Sequence, residues 1–262
     1  MRFASLGSGS RGNATLVASG RTTLLIDCGF SMREVCLRLE SLDQEPAAIS
    51  AVLVTHEHAD HVQGIGALAR KYRLPVWATT GTLAAAAKSL GGLPDARTFT
   101  SHEQLRIGDI DIEPITVPHD AREPSQFVFH HAGLRLGLLT DTGRITPHIL
   151  TLLGACDALL LEFNHDPGML ARSEYPASLK QRISGPLGHL SNQQAVELLR
   201  QLDTSALQYF MAMHLSEKNN APGKVRELAA EVLARPQEWV DIARQDGVSA
   251  WRELRGQDGR GT

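Results

Sequence analysis

The chain has 262 residues, of which 42% are hydrophobic and 21% charged, with a formal net charge of −3. That length allows one large domain with a proper core or two small ones, and the charge excludes a basic coat protein for nucleic acid while leaving a local basic groove open. No apolar run reaches the length of a membrane span, and the opening MRFASLGSGSRGN lacks the apolar stretch of a secretory signal. The three cysteines, Cys28, Cys36 and Cys156, are widely spaced, which fits free thiols in a reducing compartment better than a disulfide framework. The expectation is a cytoplasmic protein without a membrane partner.

In chain order, two apolar β-prone runs come first, at 14–18 (ATLVA) and 23–26 (TLLI), close enough for a hairpin. Helical spacing over 32–42 follows, then a strand at 51–54 (AVLV), a helix over 61–72, a strand at 75–78 and a helix over 82–90. Strand patterns return at 110–117, 127–130 and 135–140. A helix over 147–153, a strand at 158–161 (ALLL) and helices over 192–202 and 221–233 complete the list. Hairpin-like strands followed by alternating strands and helices predict an α/β sandwich, with helices covering sheets packed face to face. No Pro/Gly/Ser-rich linker divides the chain, so one domain is expected over 1–252. The polar, Gly-rich ELRGQDGRGT at 253–262 reads as a flexible tail.

The densest chemistry is Val54-Thr55-His56-Glu57-His58-Ala59-Asp60-His61. It follows a buried strand and opens a helix, where α/β proteins commonly place ligand sites. His56 and His58 are two apart, so an extended loop turns them to the same side. Asp60 and His61 follow at the helix entrance, and Glu57 points away. Imidazole and carboxylate together suit zinc, manganese or iron. Two divalent ions held about 3.5–4 Å apart need anionic support of this kind.

The H-x-H-x-D-H pattern resembles the hallmark of the metallo-β-lactamase superfamily, whose fold is an αββα sandwich. Matching pieces follow in order: Asp27 in LLIDCG, His119 in ITVPHDA, Asp141 in LGLLTDTG and His214 in YFMAMHLSEKNN. On the residues alone, Asp141 also fits a turn cap and His119 a loop histidine beside Pro118. The resemblance implies that His56, His58 and His119 hold one metal ion, that Asp60, His61 and His214 hold another, and that Asp141 bridges them. Asp27 would support the site from behind. The ions would be Zn²⁺ or Mn²⁺.

Asp141 stands where many true β-lactamases present cysteine, which favours hydrolysis of phosphate esters or thioesters. LLLEFNHD, GHLSNQQAVELL and MHLSEKNNAPGKV, with SLGSGSRGNATLV at the start, are similar to the YycJ/WalJ branch of the superfamily, likened to DNA exonucleases. More distantly the chain resembles tRNase Z and PhnP. This resemblance implies a binuclear phosphodiester hydrolase using a metal-bridging hydroxide, acting on DNA rather than RNA. Asp60, Glu162 and His189 would serve catalysis, the last two as a proton relay to the leaving group. On the residues alone, His189 also fits a helix entrance beside Ser191, and Glu162 a structural strand end.

Substrate contacts are expected from Ser10 and Asn13, beside Ser8 in the Gly-rich opening loop, a stretch that also fits a plain hairpin turn. Asn219 and Asn220, just after His214, are expected to shape the site. Arg172, Lys180 and Arg182 precede His189 and can meet a nucleic-acid backbone or form a solvated face. The long arm of tRNase Z and the added domain of β-CASP nucleases have no counterpart here. Two alternatives stay open: hydrolysis of a cyclic phosphodiester, thioester or lactone on the same scaffold, and metal or nucleic-acid binding without catalysis.

Overall fold

The structure, a computed structural model, describes residues 1–256. Strands β1 (Arg2–Gly7), β2 (Ala14–Ser19), β3 (Thr22–Ile26), β4 (Ala51–Leu53), β5 (Val76–Thr79) and β6 (Ala96–Phe99) lie side by side in the first sheet. The second sheet holds β7 (Leu105–Ile107), β8 (Ile110–Thr116), β9 (Ser125–His131), β10 (Leu134–Leu139), β11 (Ala158–Glu162), β12 (Tyr209–Met213) and β13 (Val240–Ile242). A last strand, β14 (Arg252–Glu253), returns to the first sheet beside β1. Each sheet begins antiparallel and continues parallel, from β3 to β6 in the first and from β10 to β13 in the second.

Side chains alternate along each strand and so supply two cores at once. Leu24 and Ile26 of β3 face the second sheet and share a core with its Phe127, Phe129, Leu136, Leu160 and Met211. Leu25, between them, faces the other way, into a layer with Val52, Val76 and the helices α1 (Met32–Glu40), α3 (Ile65–Tyr72) and α4 (Thr80–Leu90). Leu159 and Leu161 of β11 likewise face α5 (Pro147–Leu153), α8 (Asn192–Gln201) and α9 (Pro222–Leu233). The layers are therefore helix, sheet, sheet, helix, the αββα sandwich expected from the sequence. Among the described residues no helix is long and apolar enough to cross a membrane.

The helix expected over 61–72 is split into α2 (Ala59–Val62) and α3. The break lies at Gly64, whose N–H donates to the Cys28 carbonyl at 2.8 Å. A Cβ there would come within 2.0 Å of the Phe30 carbonyl oxygen, so the loop after β3 packs directly on the break. Helices α6 (Pro167–Arg172) and α7 (Ala177–Ile183) were not foreseen; α7 buries no residue and so offers no apolar stripe to read. At the C-terminal end, Glu253 lies in β14, Leu254 is buried, and the Leu254 N–H bonds the Met1 carbonyl. Ordered chain thus runs past the expected boundary at 252, and the rest of the expected tail, 257–262, lies outside the described residues.

Phe129 is fully buried between the sheets. Phe129→Ala is expected to cost about 3–5 kcal/mol by leaving a cavity there. Denaturant unfolding measures this, and a cost below 1 kcal/mol would mean that the sheets close over the gap.

Candidate metal centre

Loops leaving the carboxyl ends of β3, β4, β8, β10 and β12 converge at one edge of the sandwich. They bring Asp27, then His56, His58, Asp60 and His61, then His119, Asp141 and His214. Three of these residues adopt left-handed backbone: Asp27 (φ 59°), Asp141 (φ 53°) and His214 (φ 55°). That region is unfavourable for residues with a Cβ and persists where the surroundings enforce it.

The nitrogens of His56 (Nε2) and His58 (Nδ1) lie 3.0 Å apart, and those of His119 (Nε2) and His58 (Nδ1) 3.3 Å apart. A second group of donors joins Asp60, His61 and His214. Asp60 Oδ2 lies 3.6 Å from His61 Nε2 and 3.7 Å from His214 Nε2. Asp141 lies between the groups, with Oδ2 3.5 Å from His61 Nε2 and Oδ1 4.0 Å from His119 Nε2.

The outer nitrogen of each imidazole is engaged elsewhere. His56 Nδ1 bonds Thr55 Oγ1 at 2.9 Å, and that hydroxyl donates to Asp27 Oδ2 at 2.7 Å. His61 Nδ1 donates to the same Asp27 oxygen at 2.8 Å. His119 Nδ1 donates to the Gly188 carbonyl at 3.1 Å, and His58 Nε2 to the Asp120 carbonyl at 3.2 Å. His214 Nδ1 lies 3.3 Å from Glu162 Oε1. This network holds the outer N–H of each ring and turns the inner nitrogen, a lone pair once the ring is neutral, toward its neighbours. His214 Nε2 and Asp141 Oδ2 are buried and have no hydrogen-bond partner among the described residues. Buried orphan ligand atoms that converge on one another, all imidazole nitrogen or carboxylate oxygen, fit the binding of divalent metal.

With protons as the only counter-charges, the same geometry distorts every titration. Burial opposes charge on His61, but Asp141, Asp60 and Asp27 outweigh it and hold the imidazolium at about 9. Burial likewise opposes charge on His214, which Asp141 carries well above its usual value. Burial and the adjacent His61 push His56 well below its own. Burial pushes the Asp141 carboxyl up, yet His214, His61 and the other imidazoles bring it well below the usual range.

Beside the cluster, Glu162 at the end of β11 is fully buried. Its Oε1 bonds His189 Nδ1 at 2.8 Å, while Oε2 accepts from the N–H groups of Thr142 (3.2 Å) and Leu190 (3.1 Å). Burial works against its charge, but His189 and His214 draw its pKa down to about 2.

The profile of the "Beta-lactamase superfamily domain" family matches residues 22–214. An exodeoxyribonuclease YycJ of Bacillus anthracis is 35% identical over 235 residues, covering 89% of each chain. The chain belongs to the metallo-β-lactamase superfamily. It is similar also to an exodeoxyribonuclease WalJ of Streptococcus pneumoniae, at 36% over 246 residues, 92% of this chain and 90% of that one. Among solved structures, the metallo-β-lactamase fold protein YhfI of Bacillus subtilis superposes with a TM-score of 0.72, over 95% of this chain and 98% of that one, at 16% identity. As a member of this superfamily the protein is a metal-dependent hydrolase, and its His/Asp cluster is suited to divalent ions.

Of the residues expected to meet substrate or shape the site, Asn13, Asn219 and Asn220 are enclosed and Ser10 is exposed. Asn13 is buried, its Nδ2 3.1 Å from His61 Nε2 and 3.3 Å from Asp60 Oδ2, so it braces the donors instead of meeting solvent. Asn219 is fully buried, and Asn220 clips the Phe163 and Asn164 carbonyls to Asn192. Ser10 is exposed and makes no hydrogen bond among the described residues. Ser8 instead anchors the His214 N–H at 2.9 Å. Three contributors were not foreseen: Thr55, Gly188 and Asp120. Asp120 Oδ1 lies 3.5 Å from His119 Nε2. Its place directly after His119 was the one available signal.

Two outcomes follow from this packing. A Cβ on Gly29 would come within 1.7 Å of the Asp60 carbonyl oxygen, which the Asn13 N–H already holds at 2.8 Å. Gly29→Ala is expected to cost about 1–3 kcal/mol and to lower bound metal, read by thermal unfolding and elemental analysis; full metal content at unchanged stability would contradict the packing. Metal loading near neutral pH is expected to release protons, because His61 is an imidazolium below about 9 in the metal-free chain. The release, followed in weak buffer, should shrink as pH rises through that value, and a release independent of pH would refute the assignment.

Proposed function

We propose that the protein is a binuclear metal-dependent phosphodiesterase acting as a DNA exonuclease. The observation that carries this reading is the Glu162–His189 pair, hydrogen-bonded at 2.8 Å, beside a double cluster of inward lone pairs. The similarity to proteins named exodeoxyribonuclease supports DNA as the substrate. His56, His58 and His119 would hold one ion, Asp60, His61 and His214 the other, with Asp141 shared and Asp27 fixing His61. When bound, such ions make water a nucleophile near neutral pH and neutralise phosphoryl oxygens.

The chain's own groups handle the leaving group. An alkoxide departs readily only if it is protonated, and His189 is a suitable acid. Its Nδ1 is turned to Glu162, and its side chain remains one-fifth exposed, leaving Nε2 for the substrate side. Glu162, with its pKa near 2, stays a carboxylate through the working range. It therefore fixes the ring, with Nδ1 held toward the carboxylate. Its second oxygen is tied to the Thr142 and Leu190 N–H groups, so it cannot swing away.

Metal-stripped protein resupplied with Mn²⁺ or Zn²⁺ should shorten a labelled DNA duplex stepwise, and Asp60→Ala should abolish this. His189→Ala should lower kcat by about 10²–10⁴ with metal content retained. Glu162→Gln should alter the pH profile of kcat. No cleavage by fully metallated protein would refute the DNA reading and favour small phosphodiesters or thioesters. Loss of metal in His189→Ala would make His189 a ligand rather than the acid.

A further inference from the structure

Asp120 directly follows His119 and faces the mouth of the cluster. Its Oδ1 lies 3.5 Å from His119 Nε2 and 3.8 Å from His58 Nε2. Its side chain is 30% exposed, so a bare carboxylate would stand where an anionic substrate must enter. Asp120 is not one of the proposed metal donors, so its charge repels an approaching phosphodiester unless a further cation stands beside it.

Arg182, in the last turn of α7, supplies that cation. Its Nε donates to Asp120 Oδ2 at 2.6 Å. Its terminal nitrogens donate to nothing among the described residues, and the side chain is 59% exposed. The neighbouring Lys180 is occupied by the Ala171 carbonyl oxygen. Arg182 is also tied geometrically to the proton relay: the His189 N–H bonds the Ile183 carbonyl at 2.9 Å, and a Cβ on Gly188 would come within 2.2 Å of the Arg182 carbonyl oxygen. The tight turn over 183–189 therefore fixes Arg182 and His189 on one rigid piece of chain. A guanidinium held through Nε, with its fork free, is preorganised for two hydrogen bonds to one phosphate.

We infer that Arg182 binds a backbone phosphate of the nucleic-acid substrate at the mouth of the metal centre, on the His58–His119 side, with Asp120 as the residue that positions it. This rests on the phosphodiesterase reading and names a specific contact for it. No rearrangement of the metal donors is required, since Asp120 already restrains the guanidinium.

The test compares binding of a short labelled DNA duplex by the metallated full chain, in a His189→Ala background that slows turnover. Arg182→Ala should weaken binding roughly tenfold and reduce the dependence of log affinity on log salt by about one phosphate contact. Arg182→Lys should recover part of the affinity. Arg97→Ala, which removes a half-exposed, Asp95-paired arginine from edge strand β6, serves as the charge control and should do neither. If Arg182→Ala behaves like Arg97→Ala while the parent protein cleaves DNA, the inference falls alone. If Asp120→Ala restores full affinity to Arg182→Ala, Arg182 only screens Asp120 and the inference again falls. A parent that neither binds nor cleaves DNA overturns both readings.

Discussion

Crowding electron-rich donors into a buried space is unfavourable unless cations fill it, and the remainder of this structure is arranged around that constraint. The inner nitrogens of His56, His58 and His119 face one another at hydrogen-bond distances with no proton assigned between them. Asp141 and His214 each keep a buried atom without a hydrogen-bond partner among the described residues. Isolated polar groups so placed cost several kcal/mol each relative to water. The compensation is a set of clamps one bond further out: Thr55, Asp27, Gly188, the Asp120 backbone and Glu162 each hold the far side of a ring. The clamps fix orientation, so the donors cannot relieve their mutual repulsion by rotating away.

The backbone carries part of the same load. Asp27, Asp141 and His214 turn through left-handed conformations just after strands that are buried except for one half-buried residue each. Parallel strands hold these turns because both of their faces are packed, one on the opposite sheet and one on helices. The glycines around the cluster have a related role. Gly29 allows the loop after β3 to lie against the Asp60 carbonyl, and Gly64 allows it to lie against the break between α2 and α3. Close backbone approach at these points lets one short loop deliver four donors.

Much of this was legible in the sequence, for identifiable reasons. The strand carrying AVLV and the H-x-H-x-D-H that follows it combine a buried-strand signal with ligand-type residues at short spacing, and both survive in the structure as a strand and a donor loop. The layer order followed from hairpins giving way to alternating strands and helices. What escaped has a common cause: its signal is tertiary. β1 reads as a Ser/Gly-rich opening, and its burial comes from neighbours on both sides, including β14 some 250 residues away. β12, YFMAM, is buried almost throughout and so has no alternation. Asn13, Asn219 and Asn220 have the composition of solvent-facing loop residues, and only the fold reveals that they are enclosed. The Arg182–Asp120 bond joins positions 62 apart, on a helix that buries nothing.

The order of the donors along the chain also bears on how the centre is made during synthesis. Asp27 and the donors from His56 to His61 lie in the first sheet's half, whereas Asp141 and His214 lie beyond the strands of the second. As a ribosome extends the chain, the early loop emerges with its imidazoles well before β12 exists to present His214. A nascent chain can thus offer a partial, weakly held site for a long interval, and the full donor set assembles only after the two sheets have docked. A metal ion that needs donors from both halves of the chain is therefore bound only once the fold is complete.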